Sequence, residues 1–191
     1  MENEAEISVP PVLSVERLRD CKSSGYAYSE SLWVRSFPES ERREAAEQRA
    51  LLQSEPRFAL WALGCEGAPV GVMTTWDLGG FTFMEHLALD PVWQSRGLGR
   101  QAVGWAMGHL ARPLVLEVEL PVDATSRRRI AFYERLGFRT FPETYVQPPY
   151  RVGGAFVPMR LLQGTLDGGA GLEFEAVREI LRREVYRCVD A

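Results

Sequence analysis

Leu87-Ala88-Leu89-Asp90-Pro91-Val92-Trp93-Gln94-Ser95-Arg96-Gly97-Leu98-Gly99-Arg100 runs from the end of a predicted strand into the first turn of a predicted helix. Gly97 and Gly99 permit backbone conformations that turn N–H groups toward a ligand. The helix start adds about half a positive charge pointing the same way. Arg96 and Arg100 strengthen the field. A diphosphate suits such a loop, because each oxygen can take an N–H that the first helical turn leaves without a partner.

Outward from this loop, the hydrophobic period reports the rest of the fold. Residues 57–63, 70–77 and 81–89 are rich in β-branched and aromatic side chains, and the Glu66-Gly67 and Gly79-Gly80 turns separate them. They predict an antiparallel meander, with an edge strand before it within 9–18. Helical spacing appears earlier, over 25–35 and 39–53, with Ser36-Phe37-Pro38-Glu39 as the break. Beyond the loop, Leu98, Ala102, Val103, Ala106 and Leu110 fall on one side of a helix over 97–111. A strand over 114–120 follows, then a helix over 126–136 closed by Gly137, then a strand starting at Phe138. Residues 146–150 read as a loop and 155–162 as a last strand. The single strand–helix–strand crossover, residues 81–120, follows hairpins, so the sheet is expected to be mixed in an α+β domain.

Four segments are expected along the chain: a loose tail over 1–6, one domain over 7–162, a glycine-rich linker over 163–172, and an amphipathic helix over 173–191. Phe174, Val177, Leu181, Val185 and Cys188 form that helix's stripe. The stripe predicts packing on its own domain or, in an interaction protein, docking on a second copy as a homodimer.

The chain has 191 residues, of which 46% are hydrophobic and 25% charged, enough apolar side chain for one core and too much for disorder. A net charge of −4 provides no global field to hold nucleic acid or an anionic membrane. Cys21, Cys65 and Cys188 form no C-x-x-C pair and no disulfide framework. The acidic start, without a long apolar run, has the wrong texture for a secretory signal, and the expected compartment is the cytoplasm. His86 and His109 share no metal-ligand spacing, so no metal is expected.

The segment Gly97-Leu98-Gly99-Arg100-Gln101-Ala102 also satisfies the dinucleotide pattern G-x-G-x-x-A, and Glu119 lies where a ribose would be held. Context argues against that reading: Asp90 to Arg96 separate the strand from the first glycine, and further parallel crossovers are missing.

The spacing Gln94-x-x-Gly97-x-Gly99 after Leu87-Ala88-Leu89-Asp90-Pro91 instead resembles the acetyl-CoA loop of the GNAT N-acetyltransferases. Glu85-His86-Leu87-Ala88-Leu89-Asp90-Pro91, Leu116-Glu117-Val118 and Ala131-Phe132-Tyr133-Glu134-Arg135-Leu136-Gly137-Phe138 occur in that family's order and spacing, so that the resemblance covers about residues 10–162. It implies that strands 81–89 and 114–120 start paired and then splay. The pantetheine arm would enter the gap and bond the free backbone of Leu87, Ala88 and Leu89, with the diphosphate on Gln94, Ser95, Arg96, Gly97, Leu98, Gly99 and Arg100. The implied activity is acetyl transfer from acetyl-CoA, without a metal, to a primary amine of a small molecule or peptide. The alternative is an acyl-CoA-binding regulatory module without turnover.

Amine attack on a thioester needs a group to take the ammonium proton and another to protonate the departing thiolate. Tyr133 matches the family's acid. Glu117 falls where the ribosomal-protein N-terminal acetyltransferases carry a glutamate base, and Glu85 where other members place one. Glu117 and Glu119 share one face of a strand expected to be central, where carboxylates are unusual. Strand alternation predicts that Glu85 and His86 face opposite sides of the sheet. The family often has Asn, then Ala three residues on, ahead of the tyrosine, and this chain has Ser126 and Arg129 there. Ser126 is left as a helix cap or pantetheine contact. Arg127, Arg128 and Arg129 read as a solvated face. Trp76, Glu119, Tyr145, Gln147 and Tyr150 are expected near the acceptor side, where aromatics suit a cationic amine.

Overall fold

The computed structural model describes residues 11–110, 113–164 and 171–187. The proposed tail, most of the proposed linker and Cys188 lie outside the described residues. Among the described residues eight strands form one sheet in the order β1-β2-β3-β4-β5-β8-β6, with β7 also on β8. The strands are β1 (Leu13–Leu18), β2 (Phe58–Cys65), β3 (Ala68–Asp77), β4 (Thr82–Leu89), β5 (Leu114–Glu119), β6 (Phe138–Thr140), β7 (Tyr145–Gln147) and β8 (Val157–Gly164). All neighbouring pairs run antiparallel except β4 and β5. The expected mixed α+β sheet, meander and single parallel crossover are therefore present.

Among the described residues five α-helices flank it: α1 (Tyr26–Ser36), α2 (Ala45–Ser54), α3 (Leu98–His109), α4 (Ala124–Arg135) and α5 (Phe174–Ile180). The period-two alternation of the strands divides the core between the two faces. Phe83 and Val115 point to one face, with Leu32 and Trp33 of α1 and Leu51 of α2. Met84, Leu114 and Leu116 point to the other, with Leu98, Ala102 and Ala106 of α3 and Tyr133 of α4. Among the described residues no helix is long and apolar enough to cross a membrane.

The C-terminal stripe packs inward: Phe174, Val177, Leu181 and Val185 belong to the first of these cores. That face is covered by its own domain. The helix is not continuous to its end, because Leu181–Val185 forms a widened π turn, closed by a bond from the Tyr186 N–H to the Leu181 carbonyl at 3.0 Å.

Three further differences from the sequence reading have local causes. The expected helix over 39–53 divides into a 3-10 turn, Glu39–Glu41, and α2. Arg42 between them is extended, and its guanidinium folds back to the Phe37 carbonyl at 3.0 Å, while Arg43 reaches inward to Glu85. Residues 145–147 form a strand rather than a loop, because β8 offers them an unpaired edge before Pro148 stops the ladder. Glu85 and His86 face the same side, not opposite sides. The β3–β4 register passes from Thr74 opposite His86 to Thr75 opposite Met84, so Glu85 is the extra residue of a bulge.

Candidate active site

The β4–β5 ladder holds only three residue pairs, Thr82 with Leu114, Phe83 with Val115 and Met84 with Leu116. The strands then diverge and open a cleft of about 640 Å3 whose walls include Leu87, Leu89, Glu117, Glu119, Tyr133 and Tyr150. Asp90 donates its N–H to the Val70 carbonyl at 2.8 Å. By strand alternation Ala88 then bonds β3 as well, while Leu87 and Leu89 turn their backbone groups to the gap. A linear amide-bearing ligand fits there as an additional strand.

At the cleft's end, Asp90 is held by Arg35 at 2.6 Å and Tyr28 at 3.2 Å, and it accepts from the Val92 N–H at 3.3 Å. Gln94 donates its side-chain amide to the Leu89 carbonyl at 3.0 Å, tying the loop to the strand. Ser95 and Gly97 adopt left-handed backbones, φ 62° and 82°, which reverse the chain into α3. The first intrahelical bond runs from Gln101 N–H to the Gly97 carbonyl at 3.2 Å, so the N–H groups of Leu98, Gly99 and Arg100 precede it. No side chain caps this helix. Its free donors, with Arg96 lying 4.9 Å over the Trp93 ring, fit a diphosphate. Gln94, Ser95 and Gly99 line the cleft, whereas the Leu98 side chain is buried in the core. Among the described residues no group of three or more His, Cys, Asp or Glu is arranged to hold a metal.

Ser126 is not at the cleft wall. Its N–H donates to the Asp123 carboxylate at 2.7 Å and its hydroxyl oxygen accepts from the Asp123 N–H at 3.1 Å, a capping box in which Asp123 is the cap. Arg128 and Arg129, expected in solvent, line the cleft, and Arg129 pairs with Glu119. Two residues expected to line the acceptor side lie behind it. Trp76 is fully buried and donates its indole N–H to Glu85 at 3.1 Å, and the Tyr145 hydroxyl donates to Glu117. Tyr150, Gln147 and Glu119 are at the cleft wall.

The structure separates the two candidate carboxylates. Glu85 is wrapped by donors: Arg43, the Trp76 indole, the Tyr150 hydroxyl at 3.1 Å and the Thr74 hydroxyl at 3.4 Å. Burial alone would raise its pKa, but Arg43 and the adjacent His86 outweigh burial and hold the carboxyl well below the usual range. Beside it, the His86 Nε2 lies 3.0 Å from the Glu41 carbonyl, to which it donates.

Among the described residues, the side chains that hydrogen-bond Glu117 are neutral hydroxyls. Tyr145 donates to one oxygen, and Tyr186 to the other at 2.6 Å. Burial dominates, aided by the negative charges of Glu85 and Glu41, and raises its pKa to about 7 against the hydroxyls' opposing effect. Tyr133 is buried on the other face of the sheet, and desolvation pushes its hydroxyl up to about 12.

Arg43 and Tyr186 escaped the sequence reading. Arg43 is 42 residues from Glu85 and Tyr186 is 69 from Glu117. The π turn moreover brings Tyr186 to bear from outside the predicted stripe.

Comparisons with known proteins agree with this geometry. Residues 26–138 match the model of the acetyltransferase (GNAT) family. A protein assigned to the GNAT acetyltransferases from Bacteroides thetaiotaomicron superposes with a TM-score of 0.85 and 32% identity, over 92% of this chain and 99% of that one. A GNAT family acetyltransferase from Elizabethkingia anophelis, solved with acetyl-CoA bound, gives a TM-score of 0.54 at 16% identity over 81% and 98%. Arabidopsis thaliana Naa50, in complex with the bisubstrate analogue CoA-Ac-MVNAL, gives 0.59 at 13% over 81% and 99%. These two support the fold alone. No curated protein matches. A family match over more than half the chain, a near full-length structural counterpart, and a splayed β4–β5 pair facing an uncapped helix lead to one assignment: this chain belongs to the GNAT acetyltransferase family.

Proposed function

We propose that this protein moves an acetyl group from acetyl-CoA to a primary amine by direct attack. The observation that carries the reading is the divergence of β4 and β5, which opens one cleft to the uncapped start of α3, to Tyr133 and to Glu117. When bound, acetyl-CoA supplies an activated acyl group as its thioester. The backbone of Leu87 and Leu89 would hold the pantetheine amides, and residues 94–100 the diphosphate.

Glu117 is the base in this reading. It has a carboxylate poised near neutrality, and each oxygen keeps a lone pair beyond the one used by a tyrosine. A Glu117 oxygen removes the proton of the incoming ammonium, which lets the neutral amine attack. Tyr133 keeps its proton through neutral pH and directs it at the sulfur as negative charge develops there. Glu85, already engaged by Arg43, acts as a fixed charge that organises the β4 bulge. A small-molecule or peptide amine would enter past Glu41, Gln147 and Tyr150. We also place the protein in the cytoplasm, a reading supported by free cysteines at Cys21 and Cys65.

Thiol release from acetyl-CoA, followed across a panel of amines, tests the function. Glu117→Gln should lower turnover by about 10²-fold or more, the scale of a lost general base. Cofactor binding without thiol release for any amine would instead favour the regulatory module.

A further inference from the structure

The C-terminal segment lies outside the family-matched residues 26–138, yet its Tyr186 reaches Glu117 from behind the cleft wall. Val185 is the last residue of the π turn, and its carbonyl accepts from Arg43 Nη2 at 2.7 Å, while the other arm of the same guanidinium pairs with Glu85. Arg43 therefore ties the end of the terminal helix to the β4 bulge. The next residue, Tyr186, is 8% exposed, and its hydroxyl donates to Glu117 at 2.6 Å. Its ring packs 4.9 Å from that of Tyr150.

We propose that Tyr186 is a positioning residue of the active site, delivered by the widened helical turn and locked by Arg43, which orients the Glu117 carboxylate to receive the amine proton. Tyr145 holds one oxygen from β7 and Tyr186 the other from the terminal segment, which fixes the carboxylate's orientation, and Glu117 lines the cleft with a further lone pair on each oxygen. The proton passes from the ammonium nitrogen to Glu117, and the tyrosine hydroxyls keep theirs. The charged or titratable groups that face Glu117 are Tyr145 from β7, Tyr186, Tyr150 from the following loop, Glu85 from β4 and Glu41 from the 3-10 turn. Of these, Tyr145 and Tyr186 donate directly to the carboxylate and favour its ionised form.

Because the proposal rests on Glu117 as the base, the test separates the two ideas. The Glu117 carboxyl is titrated by 13C NMR in the full-length, ligand-free chain, with Glu117→Gln identifying its signal, and kcat/KM is measured across pH in parallel. Tyr186→Phe keeps the ring and deletes the donor. It should move the Glu117 midpoint and the acidic limb of kcat/KM upward by about one pH unit, which lowers kcat/KM about fivefold at pH 7 and restores it by about pH 9. An unmoved midpoint, or a loss of activity equal at every pH, overturns the proposal while leaving the base reading intact if Glu117→Gln is inactive. Full turnover in Glu117→Gln overturns the base reading, and the proposal with it.

Discussion

The Arg43 guanidinium and the Glu85 carboxylate form an ion pair buried on both sides, with side-chain exposures of 8% and 0%. Arg43 also lies 4.7 Å from the centre of the Tyr150 ring and 5.3 Å from that of Trp76, so the charge is enclosed by aromatic surface. Removing one partner leaves the other charged and dry. Arg43→Met should destabilise the protein by about 3–5 kcal/mol in urea unfolding, and adding Glu85→Gln should recover most of that loss. A cost below about 1 kcal/mol would show that the pair does not hold the bulge.

The same pair sets an acid limit. Glu85 is held below its ordinary value when folded, so its stabilising contribution is present above the unfolded value of about 4.5 and is lost as pH falls through the lowered folded one. Acid unfolding of Glu85→Gln should show a weaker pH dependence below about pH 4.5 than the parent chain, measured by circular dichroism.

Glu117 has the opposite sign. Its folded value of about 7 exceeds the ordinary 4.5, so the folded state binds this proton more tightly. Its contribution is present in full below pH 4.5 and is lost as pH rises through 7, a cost of about 3 kcal/mol in alkali. Glu117→Gln, which has no such charge to desolvate, should be more stable than the parent by about 1–3 kcal/mol at pH 8 and equal to it near pH 5. A destabilised variant at pH 8 would mean that burial does not dominate this site.

Tyr133→Phe removes a hydroxyl that stays protonated at every working pH. Turnover should fall by about 10²-fold, with acetyl-CoA affinity by calorimetry changed less than about threefold. Unchanged turnover would remove Tyr133 as the acid.

Gly97 and Gly99 test the loop differently. Gly97 sits at φ 82° with open space around it, so Gly97→Ala should cost about 1–2 kcal/mol through strain rather than collision. At Gly99 a side chain would meet Leu89 and Phe132 at ordinary contact distances of 3.6 and 3.7 Å. Gly99→Glu should therefore fold, while its charge weakens acetyl-CoA binding by about tenfold or more in calorimetry.

What the sequence revealed and what it hid follow from the range of the interactions. The strand–loop–helix start at residues 87–100 was legible because glycine conformation and helix termini are local. Glu117 stood out because a carboxylate interrupts an apolar central strand. The same-side placement of Glu85 and His86 was hidden, since one extra residue reverses alternation without leaving a mark in composition. The helix cap was misread by three residues: Ser126 answers Asp123 rather than capping alone. Arg43 and Tyr186 were hidden because their partners, Glu85 and Glu117, are distant in the chain and meet them only after the terminal helix has docked.

A crystal structure of the protein with coenzyme A bound tests the central claim most directly. The diphosphate should rest on the N–H groups at the start of α3, beside Gly97 and Gly99, with the sulfur in the β4–β5 gap between the Tyr133 hydroxyl and Glu117. A diphosphate lodged away from that helix start, or a sulfur on the far side of β4, would contradict the account.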